Sequence, residues 1–422
     1  MKNILIIAAE NSAENYAVQI LEQFKKNNSP VHFFGVGGDQ LQEQGVEVII
    51  HNKELSVVGI IEVVSSILKL KRYMKILFDA ASKRKADAVI LIDYPDFNLR
   101  MARKCKQAGL RVYYYISPTI WAWRYSRVNL IKKYVDHIFI IFPFEIPIFE
   151  KENISFTYTG HPLMPRVKVN EKKEDFRKRY AVDGDVLLVT LLPGSRKSEI
   201  RFLLHEMLRA AALLKKEFNI RVFLLKANGI DRDLLLLYLN ESPLPIQVID
   251  QPNGYDLINA SDIILTTCGT SNLEIAIIGV PFVAVYRVNK LSYLLGKRFV
   301  KINLYSIVNI LAGKEVIREL IQHEYTAENI ATEMRRILID PGIREEMLTQ
   351  FGHIRRMLTQ DWLLTRKRTG GFCAASFSAS ANCFKSPTGW WFTCWINMPG
   401  PSPENPASES CATATTTTPF WS

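Results

Sequence analysis

The chain has 422 residues, 48% of them hydrophobic and 23% charged, with a formal net charge of +11. This composition is globular and long enough for two cores, and its basic balance suits nucleic acid, anionic lipid or phosphorylated small molecules. Zinc-finger spacing, RNP-like sequence, basic-region heptads and an apolar run of about 18 residues are all absent, so neither a nucleic-acid partner nor a membrane span is expected.

Elements alternate from the first residues. "KNILIIAA" is too short and wrongly flanked for a signal peptide, which leads to the expectation of a cytoplasmic protein. Within it, "NILIIAA" predicts a strand, and residues 14–26 predict a helix. "VHFFGV", "DAVILI", "RVYYYI" and "HIFIIF" predict further strands, most followed by a helical pattern. Such alternation argues for a parallel sheet covered on both faces. "GHPLMPRVKVNEKKEDFRKRY", from Gly160, reads as a linker followed by a helix. Strands resume at "DVLLVTLLPG", "RVFLLKA", "IQVID", "DIILTT" and "PFVAVY", with helices over 231–239 and 272–279.

The expected organisation is therefore two α/β halves, residues 1–165 and 175–360, hinged near 160–180. Residues 363–422 form a nearly uncharged tail rich in Ser, Thr, Cys, Pro and Trp, which reads as a disordered or non-native extension. Its Cys373, Cys383, Cys394 and Cys411 match no zinc pattern. Cys105 and Cys268, the two cysteines before it, suit a reducing compartment.

Four stretches carry candidate chemistry. In "VILIDYPDFNLR" a buried strand meets Asp93 and Asp96, split by Tyr94 and Pro95. Two readings fit. Asp96 caps a helix running from Phe97, or a carboxylate stands at the end of a parallel strand, where α/β sheets hold their sites. In "VTLLPGSRKSEI" the turn at Pro193 and Gly194 leads through Ser195 into a helix opening near Ser198 and Glu199. A glycine turn at a helix N-terminus suits an anion, and Arg196 adds a planar fork for phosphate. "TTCGTSNLEIAIIGVP" repeats this with Gly269, Thr270 and Ser271, and puts Glu274 about one turn inside, placed to hold a ribose. Each turn alone also fits a plain capped helix; two together favour a nucleotide. The fourth stretch sets Val58, Ile60, Ile61, Val64, Ile67 and Leu68 beside Lys69, Lys71, Arg72 and Lys75. It fits either a core helix or a segment in contact with anionic lipid.

Other chemistries are disfavoured. The first βα turn, "AAENSAENYA", has no dinucleotide glycines, and the histidines never take metal-ligand spacing. No metal and no cofactor are expected, and His161 in "GHP" reads as an orienting side chain.

The ordered set "LSVVGIIEV", "IDYPDFN", "YYISPTIWAWR", "GHPL", "LLPGSRKSEI", "GTSNLE", "YRVNKLSYLLGKRFVK" and "NILAGKEVIREL" resembles the lipid-A-disaccharide synthases, over about residues 1–360. The resemblance implies a GT-B architecture, two Rossmann-like domains with parallel sheets facing across a cleft. It implies an inverting transfer from UDP-2,3-diacylglucosamine to the 6-hydroxyl of 2,3-diacylglucosamine 1-phosphate, forming a β-1,6 bond and releasing UDP. The acylated substrates imply work at the inner face of the cytoplasmic membrane, with lipid contact through Val58 to Leu68.

Carried onto this sequence, Asp96 matches the proposed base, leaving Asp93 supporting or structural and Asn98 orienting the site. Arg196, with the helix N-termini after Gly194 and Gly269, stabilises the leaving diphosphate; Glu274 holds ribose and Asn309 lines the donor cleft. Glu10 and Ser12 remain on the acceptor side, in a turn whose two family glycines are here Ala9 and Ala13. The family's C-terminal helices contribute to a homodimer, and the tail replaces part of that region. Two alternatives stay open: a UDP-sugar transferase for a lipid-linked muramyl acceptor, and a non-catalytic nucleotide- or lipid-binding homologue.

Overall fold

The computed structural model describes residues 1–56, 63–122, 124–250, 254–288 and 304–359. Val58, Ile60, Ile61 and the tail 363–422 lie outside them.

The first half is a seven-stranded parallel sheet. Its strands are β1 (Lys2–Ala8), β2 (Val31–Gly37), β3 (Glu47–His51), β4 (Ala88–Ile92), β5 (Arg111–Tyr115), β6 (His137–Ile140) and β7 (Phe156–Tyr158), in the order β3-β2-β1-β4-β5-β6-β7. The second half is a six-stranded parallel sheet of β8 (Leu187–Leu192), β9 (Ile220–Lys226), β10 (Ile246–Asp250), β11 (Ile263–Thr267), β12 (Phe282–Tyr286) and β13 (Glu319–Ile321), in the order β10-β9-β8-β11-β12-β13. Both sheets start in the middle, wind outward, and reverse between β1 and β4 or between β8 and β11. This is Rossmann-type winding, and ligands bind in the crevice where the order reverses.

The sequence dictates this layering through continuous apolar runs. β4 reads AVILI and is buried at all five positions. Val89 and Leu91 face one side with Leu99 and Met101 of the helix Pro95–Gln107. Ile90 and Ile92 face the other with Ala13, Tyr16 and Ala17 of the helix Asn11–Lys26. Each such apolar side chain contributes about 1.5–3 kcal/mol by leaving water. β3, β7 and β13 were not foreseen. All three are edge strands, and β7 and β13 have three residues each, too few to show a period.

The halves meet where the chain crosses between them. Leu163 already belongs to the second core, so the linker packs almost at once. The helix Pro341–Met357 returns to the first half: the Tyr158 hydroxyl donates to the Met357 carbonyl at 2.6 Å, and the His161 N–H donates to the Leu358 carbonyl at 2.9 Å. His161 is buried, and burial holds its imidazole down to about 3, so it is neutral near pH 7. Leu68 is 65% exposed on the helix Val63–Lys83, which also carries Val64 and Ile67. Among the described residues no helix is long and apolar enough to cross a membrane.

Candidate active site

The first βα turn folds without glycine. Glu10 takes an extended N-cap conformation, and its carbonyl accepts the Glu14 N–H at 2.9 Å. Ala13 lies buried in the helix, so neither alanine needs a left-handed backbone. Glu10 and Ser12 stay exposed at the mouth of β1. Glu14 turns inward instead. Its carboxylate accepts the N–H groups of Gly38 and Leu41 at 2.9 and 3.1 Å and the Asn52 amide at 3.0 Å, tying the first two βα turns together.

Asp93 and Asp96 stand beside this turn at the end of β4, in different environments. Asp93 and Tyr94 are both left-handed, with φ of +48° and +45°, and the helix begins at Pro95. Asp96 is therefore in the first helical turn and not its cap, which corrects the capping expectation: two left-handed residues and a proline already set the helix entry. Asp96 Oδ1 accepts Arg127 Nη2 at 2.6 Å and Arg124 Nη1 at 3.1 Å, while the side chain stays 68% exposed. Asp93 is half-buried, and burial with the nearby Glu10 carboxylate pushes its carboxyl up to about 6. Asn98, expected to orient the site on the acceptor side, is fully buried; its amide donates to the carbonyls of Ile92 and Asp93 at 3.1 and 2.7 Å. It acts on the site through Asp93.

The turn after β8 differs from the open cradle expected. The Glu199 carboxylate accepts the N–H groups of Ser195 and Arg196 at 2.8 and 3.1 Å. These are the donors assigned to phosphate. Gly194 sits at φ +113°, and a side chain there would collide with Glu199. The Arg196 guanidinium is only 3.4 Å from Glu199 and is 75% exposed, so it is the part of this turn able to reach a ligand.

After β11, the Gly269 N–H donates to Asn272 Oδ1 at 3.3 Å. Thr270 and Ser271 open the helix Thr270–Ile278, where the first N–H groups lack intrahelical acceptors. A Cβ at Gly269 would come no nearer to a neighbour than 4.0 Å, from Thr267 Oγ1. Glu274 accepts the Tyr255 hydroxyl at 2.9 Å, and burial raises its carboxyl. Asn309 is a correction. It is 0% exposed, and its amide is fully used: it donates to Ile317 O and Glu319 at 2.8 and 2.7 Å and accepts Val316 and Ile317 N–H at 2.8 and 3.0 Å. Such an amide braces the turn and has no group left for a ligand.

Tyr16, Arg166, Tyr255 and Glu199 were missed in the sequence. Tyr16 lies where both halves meet. Burial pushes its hydroxyl up to about 12, and the charges of Arg166, Asp93 and Glu274 all act on it. The mouth of β4 and the ribose candidate thus share one electrostatic neighbourhood.

The sequence model of the family described as Lipid-A-disaccharide synthetase matches residues 4–353, which takes in both sheets. The chain belongs to the lipid-A-disaccharide synthase family. The Myxococcus xanthus synthase is 39% identical over 365 residues, covering 86% of this chain and 95% of that relative. The Coxiella burnetii synthase is 35% identical over 358 residues, covering 85% and 94%. Among solved structures, a calicheamicin glycosyltransferase superposes with a TM-score of 0.56 at 14% identity, covering 87% of this chain and 98% of that one. The glycotransferase of kitacinnamycin superposes with a TM-score of 0.58 at 13% identity, covering 87% and 99%. At these identities the likeness speaks for the GT-B fold alone, and the family match makes the chain a hexosyltransferase of that fold.

Proposed function

We propose that the chain joins UDP-2,3-diacylglucosamine to 2,3-diacylglucosamine 1-phosphate through a β-1,6 bond, giving lipid A disaccharide 1-phosphate and UDP. The observation that carries this is the family match across both sheets. Residues 1–165 supply the acceptor side and 175–360 the donor side. Because both substrates are acylated, the enzyme works on the inner face of the cytoplasmic membrane, with the exposed Leu68 on its lipid side.

The acceptor 6-hydroxyl oxygen attacks the anomeric carbon while the bond to UDP breaks on the opposite face. A carboxylate at the end of β4 takes the hydroxyl proton, and the electron pair leaves with the diphosphate. The Arg196 fork and the first N–H groups of the helix Thr270–Ile278 stabilise that charge. Gly194 and Ser195 shape the turn that presents Arg196, and Glu274 accepts hydrogen bonds from the ribose. Tyr255 holds one Glu274 oxygen, leaving the other for the nucleotide.

The ribose assignment has a direct check. Calorimetric titration with UDP is expected to show Glu274→Ala weakening binding by about tenfold or more, since a charged hydrogen bond contributes about 1.5–3 kcal/mol. Equal affinity in both proteins removes Glu274 from the donor site.

A further inference from the structure

We infer that Glu199 is a positioning residue for the transfer: its carboxylate fixes the backbone of Ser195 and Arg196, and through it the Arg196 guanidinium that meets the diphosphate. The inference rests on the reading above and adds a residue to the donor side of that same site.

Glu199 stands where a bound anion would stand at this turn. One of its oxygens, Oε2, accepts both the Ser195 N–H at 2.8 Å and the Arg196 N–H at 3.1 Å. The Arg196 carbonyl accepts the Ile200 N–H at 3.2 Å, from the first turn of the helix Lys197–Lys215. The N–H and the carbonyl of Arg196 are therefore both engaged, and the root of its side chain is fixed. A turn whose donors are already bonded within the protein does not have to reorganise when charge develops nearby.

Gly194 completes the arrangement. Its φ of +113° is comfortable for glycine alone. A Cβ there would collide with the Glu199 carboxylate and come within 2.7 Å of the Glu199 Cβ. The glycine makes the room in which the carboxylate sits.

The two charged side chains differ in access. The Glu199 side chain is 15% exposed, against 75% for Arg196. Glu199 is covered by the turn that it holds, while Arg196 stands in solvent. Their direct contact, at 3.4 Å, is too long to aim the guanidinium, so the hold acts through the backbone. The carboxylate charge is tolerated here because it lies at a helix N-terminus, on two N–H groups. Burial raises the Tyr286 hydroxyl at the end of β12, and the charges of Glu199 and Arg196 both act on it. Since β11 lies between β8 and β12, those charges reach across the mouth of β11, where the helix Thr270–Ile278 follows.

The test is a double-mutant cycle in the full chain, read by steady-state UDP release and by calorimetric UDP binding. Glu199→Ala is expected to lower kcat by about 10–10²-fold, the scale of an ångström of misplacement. Glu199→Gln keeps an acceptor oxygen for the two N–H groups and is expected to recover kcat to within about fivefold. Arg196→Ala with Glu199→Ala is expected to be no slower than Arg196→Ala alone, because residues acting as one unit do not add. The UDP affinities are expected to follow the same pattern. Thermal melts and the UDP stoichiometry per chain correct each rate for the folded fraction, so loss of a helix cap alone leaves kcat per site unchanged. Four results overturn the inference: kcat within threefold of wild type in Glu199→Ala, losses that multiply in the double variant, tighter UDP binding in Glu199→Ala, or wild-type kcat and affinity in Arg196→Ala. Tighter binding would make Glu199 a plug in the phosphate cradle. A wild type without turnover whose variants still show the UDP-binding pattern refutes the reading as a synthase and keeps the role of Glu199.

Discussion

Arg196→Ala is expected to lower kcat for UDP release by about 10²–10³-fold, the loss typical of removing one donor aimed at developing charge. The guanidinium stands exposed at the head of the helix Lys197–Lys215, and its contact with Glu199 is a loose surface pair. Such a pair contributes little to stability, so the variant should fold and melt within about 1 kcal/mol of wild type. Arg196→Lys should restore a point charge without the planar fork and recover only part of the rate. Assays of kcat and donor KM on the three proteins check this. A kcat within threefold of wild type in Arg196→Ala would place the diphosphate elsewhere.

The second large effect is on stability. Glu145 ends the short 3₁₀ turn Pro143–Glu145 and is buried. Burial pushes its carboxyl up from 4.5 to about 8, although the Ser117 hydroxyl and the N–H groups of Phe142 and Ile141 donate to it. A carboxyl raised on folding binds its proton more tightly in the native state. Its stabilising contribution is therefore complete below about 4.5 and is lost progressively up to about 8. Thermal melts are expected to fall in stability across that window, by at most about 1.4 kcal/mol per pH unit from this group. Glu145→Gln should flatten the fall. Glu145→Ala should cost about 3 kcal/mol, because it strands buried donors on the ends of β5 and β6. A Gln variant whose pH profile matches wild type would remove Glu145 as the source.

The central strands were legible because continuous apolar runs such as AVILI can only be buried parallel strands in alternation with helices. The short edge strands were not, since their burial depends on neighbours far along the chain. At the site, residue types could be read but not their surroundings. The two carboxyls of "IDYPDFN" look alike in sequence, and only the arrival of Arg124 and Arg127 separates them. Asn309 carried a motif yet closes its hydrogen bonds inside the protein. Glu199 had a local signal, a glutamate three residues after the helix cap. It was masked because the cap is arginine rather than Ser, Thr, Asp or Asn. Tyr16, Arg166 and Tyr255 come together only when the halves meet, and no spacing announces that.

The measurement that bears most directly on this account is turnover by the purified full chain, given both acylated substrates in detergent micelles. The account predicts UDP and a β-1,6 disaccharide 1-phosphate in equal amounts, with neither formed when either substrate is omitted. UDP bound with no disaccharide formed, or sugar transferred to a different acceptor, would contradict it.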